Sequence, residues 1–312
     1  MSKRYKNLVL VCLLVLCVLS SARLFDDVDY WFMDIASNFQ VQYAFFALIL
    51  FLICIWKKIF PLAVLTGLLF VLNADVLVDS GGSVQAAVQA KTTFNVYSAN
   101  IYKSNSDLSK LNYILQESDP EIVLLLEVNP QHIEQLRKAI QRYPYSIVNT
   151  SFAANGIGIV FLSKFPILNH QLTKLSEHGN AIIEAAIEIN NKPVMFYGVH
   201  AQRPDVENFD ERKEQFIMLA RQISKQTLPV IAAGDLNSTP STPNFRKLLK
   251  ISGLRDSRTG FGWEPSWPTY FPFFWIPIDH ILVSPEVHVH NRVTGSPIGS
   301  DHYPVFAELS IN

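Results

Sequence analysis

The 312-residue sequence predicts a layered α/β domain set behind a block of apolar, membrane-length helices. Three observations carry that reading. Nearly charge-free apolar stretches are confined to the first quarter of the chain; beyond them, short apolar runs alternate with amphipathic helix patterns; and polar residues recur at the ends of those runs.

The apolar stretches are 8–22, 41–56 and 59–78, and only the last has the roughly 20 residues that cross a hydrocarbon core comfortably. Lys3, Arg4 and Lys6 precede the first and Lys57-Lys58 separate the other two, whereas Asp26, Asp27, Asp29 and Asp34 lie between the first and second. The positive-inside rule then puts the N-terminus and the Lys57-Lys58 turn in the cytoplasm, and everything after the third span on the periplasmic or extracellular side. Ser20 and Ala22 also resemble a small-residue cleavage site, so the first stretch reads either as a retained helix or as a signal peptide. Both readings leave the downstream domain outside the cytoplasm.

Residues 79–91 are small and weakly charged, as expected of a linker, and leave 92–312 as one domain's worth of chain. All three cysteines, Cys12, Cys17 and Cys54, fall in the apolar stretches, so the domain has none with which to form a disulfide or bind zinc. The first 79 residues hold six of the chain's 26 Lys and Arg and six of its 27 Asp and Glu, so the rest keeps 20 against 21. That balance lacks the basic footprint of a dedicated DNA binder. Nucleic acid is therefore not the favoured partner, and no protein partner is evident.

Element by element, 94–99 reads as a strand ending at Asn100, followed by a helix capped by Ser106 with Leu108, Leu111 and Leu115 inward. The run 121–126 delivers Glu127 at its end. Asn129-Pro130 then starts a helix that turns Ile133, Leu136 and Ile140 inward. Strands are expected at 158–162, 181–189 and 194–199, the last ending at His200. A helix over 208–224 leads to the strand 228–233, and two late strands, 278–283 and 305–311, bracket Asp301-His302.

Asn100, Glu127, His200, Asp235, Asn237 and Asp279 each sit at or beside a strand end, where open sheets place ligand sites. Singly, Glu127 reads as a solvated residue and Asn100 as a turn former. The segment Gly234-Asp235-Leu236-Asn237 is more specific, because a carboxylate two residues from a carboxamide at a strand mouth can activate water and grip a phosphoryl oxygen. Asp301-His302 would add a cation ligand and an imidazole for charge built up in the transition state. Glu127 is a hard oxygen ligand suited to Mg²⁺, with Mn²⁺ as the alternative ion.

On these residues the chain resembles the endonuclease/exonuclease/phosphatase superfamily, which includes DNase I-like nucleases, neutral sphingomyelinases and inositol polyphosphate phosphatases. Asn100 is similar to its first-strand Asn, and Glu127 in Val123-Leu124-Leu125-Leu126-Glu127 to its metal-binding Glu. The run from Asn155-Gly156 to Leu162-Ser163 resembles its glycine-containing strand, and Tyr197-Gly198-Val199-His200 its catalytic-His strand. Gly234 to Asn237 match its Gly-Asp-x-Asn, Ile278 to Leu282 its strand with an imidazole-orienting Asp, and Ser300-Asp301-His302 its terminal motif. The resemblance spans 94–309 and implies a four-layer α/β/β/α sandwich hydrolysing a phosphate ester with Mg²⁺. It implies Glu127 as principal ligand supported by Asn100 and Asp301, Asp235 as the group acting on water, and Asn237 on a non-bridging oxygen. His302 oriented by Asp279 and His200 on the phosphate or leaving oxygen complete the set. A nuclease, a lipid hydrolase and a non-catalytic binding module that keeps the fold all remain open.

His280 follows Asp279 on a strand and should face the opposite way, into packing or surface, and His132, His170, His178, His288 and His290 read as surface residues. Arg212 and Gln215, on one helix, read as structural. The segment 261–277, with eight aromatic residues and four prolines, departs from a generic phosphatase. It reads either as a rigid loop packed on a sheet edge or as an aromatic surface meeting the membrane interface or an apolar substrate.

Overall fold

Side-chain alternation along each strand sorts residues between layers. The computed structural model describes residues 3–25, 30–80, 92–150, 158–176, 179–205, 207 and 209–311. The chain opens with α1 (Lys3–Ser21), the short α2 (Trp31–Ala36), α3 (Gln40–Trp56) and α4 (Phe60–Ser80). There follow β1 (Phe94–Asn100), α5 (Ser109–Ser118), β2 (Ile122–Val128), α6 (Pro130–Ile140), β3 (Tyr145–Asn149), β4 (Gly158–Ser163), β5 (Ile167–Lys174), β6 (Ala181–Ile189) and β7 (Lys192–His200). The last third holds α7 (Phe209–Ile223), β8 (Val230–Asp235), α8 (Pro243–Ser252), β9 (Arg255–Asp256), β10 (Asp279–Val283), β11 (Val287–Thr294) and β12 (Val305–Ile311).

The strands form two six-stranded sheets, ordered β11-β12-β1-β2-β4-β3 and β5-β6-β7-β8-β10-β9. Their facing sides share one core: Val96, Leu124, Phe161 and Val305 from the first meet Ile183, Phe196, Ile231 and Ile281 from the second. The opposite faces are covered by helices. Tyr97, Val123 and Leu125 pack with Leu111 and Leu115 of α5 and Leu136 of α6, while Tyr197 and Ala232 pack with Phe216 and Leu219 of α7 and Leu248 of α8. The result is the expected α/β/β/α sandwich. Burial of these side chains, each contributing about 1.5–3 kcal/mol, supplies the main drive for the layering.

Among the described residues, three helical stretches are long and apolar enough to cross a membrane: Asn7–Leu24, Trp31–Trp56 and Phe60–Leu77. They pack on one another, with Leu16 against Ala47 and Leu69, and Val9 against Cys54 and Ala63. At the end nearer the sandwich, Asn73 Nδ2 donates to Ser20 Oγ over 2.9 Å and Arg23 Nη2 to Asp75 Oδ2 over 3.0 Å.

Several expectations are corrected. Residues 79 and 80 of the expected linker continue α4, and 81–91 lie outside the described residues, as do Asn155-Gly156-Ile157, His178 and residue 208. Ser106 does not cap α5: the helix begins at Ser109, whose N–H is taken by Asp107 Oδ1 at 2.8 Å, so the acidic turn starts the helix one step later. Asn129 does cap α6, accepting from His132 N at 2.9 Å. His132 itself is buried rather than a surface residue, because its ring closes that cap and its Nε2 lies 2.7 Å from Asn105 O. Asp34, read as part of an acidic loop, is buried on α2. Helix α2, helix α8 and strands β3, β5, β9 and β11 add to the expected elements.

Candidate active site

The layering dictates where the polar strand ends point. In β1, Phe94 and Val96 face the inter-sheet core, and two residues on from Ser98 the same parity brings Asn100 to that face. Parity likewise brings His200 from Phe196, Asp235 from Ile231 and Ala233, and Asp279 from Ile281 and Val283. The registers His200↔Asp235 and Asp235↔Asp279 put the three side by side across β7, β8 and β10.

Glu127 breaks the pattern. Alternation from Leu124 and Leu126 would send it outward, but β2 carries a register shift between Leu126 and Val128, and Glu127 has φ 60°. This bulge turns the carboxylate inward. Gly234 has a related role: at φ 137° its backbone passes so close to β7 that a Cβ would sit 1.9 Å from Val199 O.

The side chains converge at one end of the cleft between the sheets. Asn100 Nδ2 donates to Glu127 Oε1 and to Asp235 Oδ2, each over 3.1 Å, bridging the two carboxylates across the sandwich. Lys103 N donates to Glu127 Oε2 over 3.0 Å. His200 Nε2 stands 3.8 Å from Glu127 Oε1 and 3.7 Å from Asp235 Oδ2, and His302 Nε2 stands 3.8 Å from Asp235 Oδ2. His302 Nδ1 donates to Asp279 Oδ2 over 2.8 Å. Asn237, at φ 49°, donates from its backbone N–H to Asp235 Oδ1 over 2.8 Å and from Nδ2 to Ala201 O over 3.0 Å.

Electrostatics separate the roles of these groups. Burial and the neighbouring Asp279 push Asp235 up to about 6, against the opposing pull of His302 and His200. Burial would lower His302, but Asp279 and Asp235 outweigh it and raise the imidazole to about 10. Burial would raise Glu127, yet His200, the Lys103 N–H and Asn100 hold it below the usual carboxylate range. The site thus combines a proton-holding imidazole with carboxylates tuned apart.

Among the described residues, Asp235, Asp279 and His302 each offer an atom within 4.8 Å of the others'. The protonated His302 is committed to Asp279, so oxygens are the better donors for a hard cation. Asp279 Oδ1 is buried without a hydrogen-bond partner, and Glu127 and Asp235 converge, which fits a divalent ion nearby. Asp301 borders the cluster: its charge helps raise His302, and its Oδ2 accepts from the indole Nε1 of Trp267 over 3.4 Å.

Among the supporting residues, Ser266 and Asn180 lie outside the sequence-based set, whereas Ser300 belongs to the terminal motif. Ser266 Oγ accepts from Asp279 N over 3.0 Å, Ser300 Oγ donates to Asn100 O over 2.7 Å and accepts from His302 N over 3.0 Å, and Asn180 Nδ2 donates to His200 O over 3.2 Å. Ser300 thereby ties β1 to the His302 loop. Arg212, expected to be structural, is fully buried: its Nη2 donates to Asn237 O over 2.7 Å and lies 3.7 Å from Asp34 Oδ2. His280 faces away as expected, 4.5 Å ring to ring from Phe245.

A two-sheet sandwich with this cluster at one end of its cleft defines a phosphoesterase class. The Endonuclease/Exonuclease/phosphatase family model matches residues 92–302, and the chain belongs to that family of phosphoester hydrolases. Similar solved structures share the fold at low identity. A family member from Bacteroides vulgatus is 19% identical with a TM-score of 0.61, covering 71% of this chain and 100% of its own. D. rerio TDP2 complexed with single strand DNA product is 15% identical with a TM-score of 0.59, covering 70% and 100%. A Bacteroides thetaiotaomicron mannosyl-6-phosphatase is 18% identical with a TM-score of 0.55, covering 70% and 100%. No curated protein matches the chain.

Proposed function

We propose that this chain is a membrane-anchored, divalent-metal-dependent phosphoesterase whose catalytic domain, 92–312, acts on the non-cytoplasmic side, with a phosphodiester favoured over a monoester. The carrying observation is the convergence of Asn100, Glu127, His200, Asp235, Asp279 and His302 from two sheets onto one end of their cleft.

Glu127 would hold the ion, Mg²⁺ or Mn²⁺, with Asn100 and Asp301 in support, and the ion supplies charge neutralisation at the phosphoryl oxygens. Asp235, mostly ionised at neutral pH, orients an attacking water and accepts its proton at Oδ2. His302, held by Asp279, keeps a proton on Nε2 to donate toward oxygen as negative charge builds. His200 faces the same space and serves the phosphate or the leaving oxygen. Asn237, whose carbonyl is fixed by Arg212, offers its second amide hydrogen to a non-bridging oxygen.

The three packed apolar helices support anchoring, and the interactions of α1 with α3 and α4 support its retention over cleavage. Lys57 and Lys58 mark the end opposite the sandwich, which supports the assigned sidedness. The relatives' names, a DNA-product complex and a mannosyl-6-phosphatase, support phosphoester chemistry while differing in substrate. The testing experiment is a screen of the full-length chain in nanodiscs against DNA, RNA, phospholipids and simple phosphomonoesters, with Mg²⁺ and then with EDTA. Metal-dependent turnover of at least one class is expected. Metal binding with no hydrolysis anywhere would favour the non-catalytic binding module.

A further inference from the structure

The aromatic segment 261–277 is not absorbed by the reaction chemistry. Its middle part leans on the membrane helices. Gln42, in the first turn of α3, donates from Nε2 to Phe273 O over 3.0 Å and to Trp275 O over 3.1 Å. The Phe273 ring then meets Phe46 at 5.8 Å and Phe45 at 6.3 Å, and Phe274 meets Phe39 at 6.0 Å. Phe45 and Phe46 lie three and four residues into the helix beyond Gln42, roughly 4.5–6 Å along its axis. Both point outward from the bundle. The Phe273 ring therefore packs edge-on beside the first turns of α3, near one end of that apolar helix.

The neighbouring rings are exposed rather than packed. Tyr270 is 72% exposed and Phe271 48%, and together with Phe273 and Phe274 they form an apolar patch continuous with the outer face of α3. A water-facing surface would not retain such a patch without a partner, and aromatic side chains are favoured at the bilayer interface.

The same loop also forms one lip of the active site. Trp267 Nε1 reaches Asp301 Oδ2, Thr269 Oγ1 donates to Ser300 O over 2.9 Å, and the Trp275 ring meets Tyr303 edge-on at 6.1 Å. His302 lies between Asp301 and Tyr303 in the chain. The opposite lip rests on the same membrane-proximal segment, since Thr239 N donates to Asn38 Oδ1 over 2.8 Å and Asn244 Nδ2 to Asp34 Oδ1 over 3.2 Å. Both lips are therefore braced on residues 34–46, within a few residues of the apolar face.

Resting on the phosphoesterase reading above, we infer that the substrate is an amphiphilic phosphoester resident in the bilayer, whose apolar part stays in lipid beside Tyr270, Phe271, Phe273 and Phe274 while its phosphate enters the cleft. Such a substrate need not leave the membrane. The mouth of the site is already at the headgroup level, and the short aromatic lip replaces water around the first carbons of its chain.

A chain-length series tests this with the full-length protein in phosphatidylcholine nanodiscs and Mg²⁺: methyl, octyl and hexadecyl p-nitrophenyl phosphate, reading release of p-nitrophenol. The expected result is a kcat/KM that rises with chain length, about tenfold or more from methyl to hexadecyl. The variant Tyr270→Ser/Phe271→Ser should lose about tenfold on the hexadecyl ester and stay within about twofold on the methyl ester, whose retained turnover reports a folded site. If the double variant loses both, Tyr270→Ser alone decides, because that ring makes no stacking contact among the described residues. Turnover of the methyl ester with no gain for hexadecyl, or a Tyr270→Ser variant that affects both esters equally, overturns the bilayer substrate and leaves the phosphoesterase reading intact. Wild-type failure on every ester would overturn the bilayer substrate, and failure in the broader screen as well would overturn the phosphoesterase reading.

Discussion

His302 Nδ1 and Asp279 Oδ2 are 2.8 Å apart with both side chains buried, an ion pair that sets both the orientation and the protonation of the imidazole. Asp279→Asn keeps the shape but removes the charge that holds the proton. Activity should fall by about 10²- to 10⁴-fold, the range of a lost general acid–base contribution. Steady-state kinetics at neutral pH with a thermal melt as folding control check it.

The pH profile should be bell-shaped. Asp235 must be ionised to accept a proton, so activity rises as pH rises through about 6; His302 must be protonated to donate one, so activity falls as pH passes about 10. In Asp279→Asn the basic limb should move to lower pH, because the charge that raises His302 is gone. A basic limb unmoved in that variant would assign it to another group.

Arg212 joins the membrane-proximal Asp34 to the carbonyl of Asn237. Arg212→Met leaves Asp34 buried without its counter-charge and should cost about 3–5 kcal/mol. Adding Asp34→Asn should recover at least about 1 kcal/mol, since the two sites share one interaction. Thermal melts of the full-length chain in one detergent measure the cycle, and additive losses would show the pair to be uncoupled.

Gly234 and Gly253 both have positive φ, yet only one is crowded. A Cβ at Gly234 would meet Val199 O at 1.9 Å, whereas one at Gly253 meets nothing within 4 Å. Gly234→Ala should therefore cost about 3 kcal/mol or more, and Gly253→Ala only about 1–2 kcal/mol of left-handed backbone strain. Parallel denaturation of the two variants checks the contrast.

Much of the sandwich is legible because its central strands are buried on both faces and read as apolar runs, as 121–126 and 228–233 do. The edge strands are harder. In β5, Asn169, His170 and Gln171 are exposed and hide the pattern, whereas β11 reads Val-His-Val-His and α8 carries Thr242 and Gly253 at its two ends, signals present but easily passed over. The polar strand ends are visible in the sequence because parity puts them on one face. The aim of Glu127 is not, since it depends on a bulge rather than on alternation. Arg212 is half legible: its helix face is plain, but its partner Asp34 lies 178 positions away, in a segment that reads as an acidic loop. Distant ion pairs leave no local periodicity.

In the proposed mechanism Asp235 handles the attacking water of a metal-dependent phosphoesterase. The most direct test compares wild type and Asp235→Ala, full length in nanodiscs with Mg²⁺, on whichever phosphoester the screen finds best turned over. Loss of turnover by about 10³-fold or more with an unchanged melting profile is the predicted result. Turnover equal to wild type in a folded Asp235→Ala protein would contradict it.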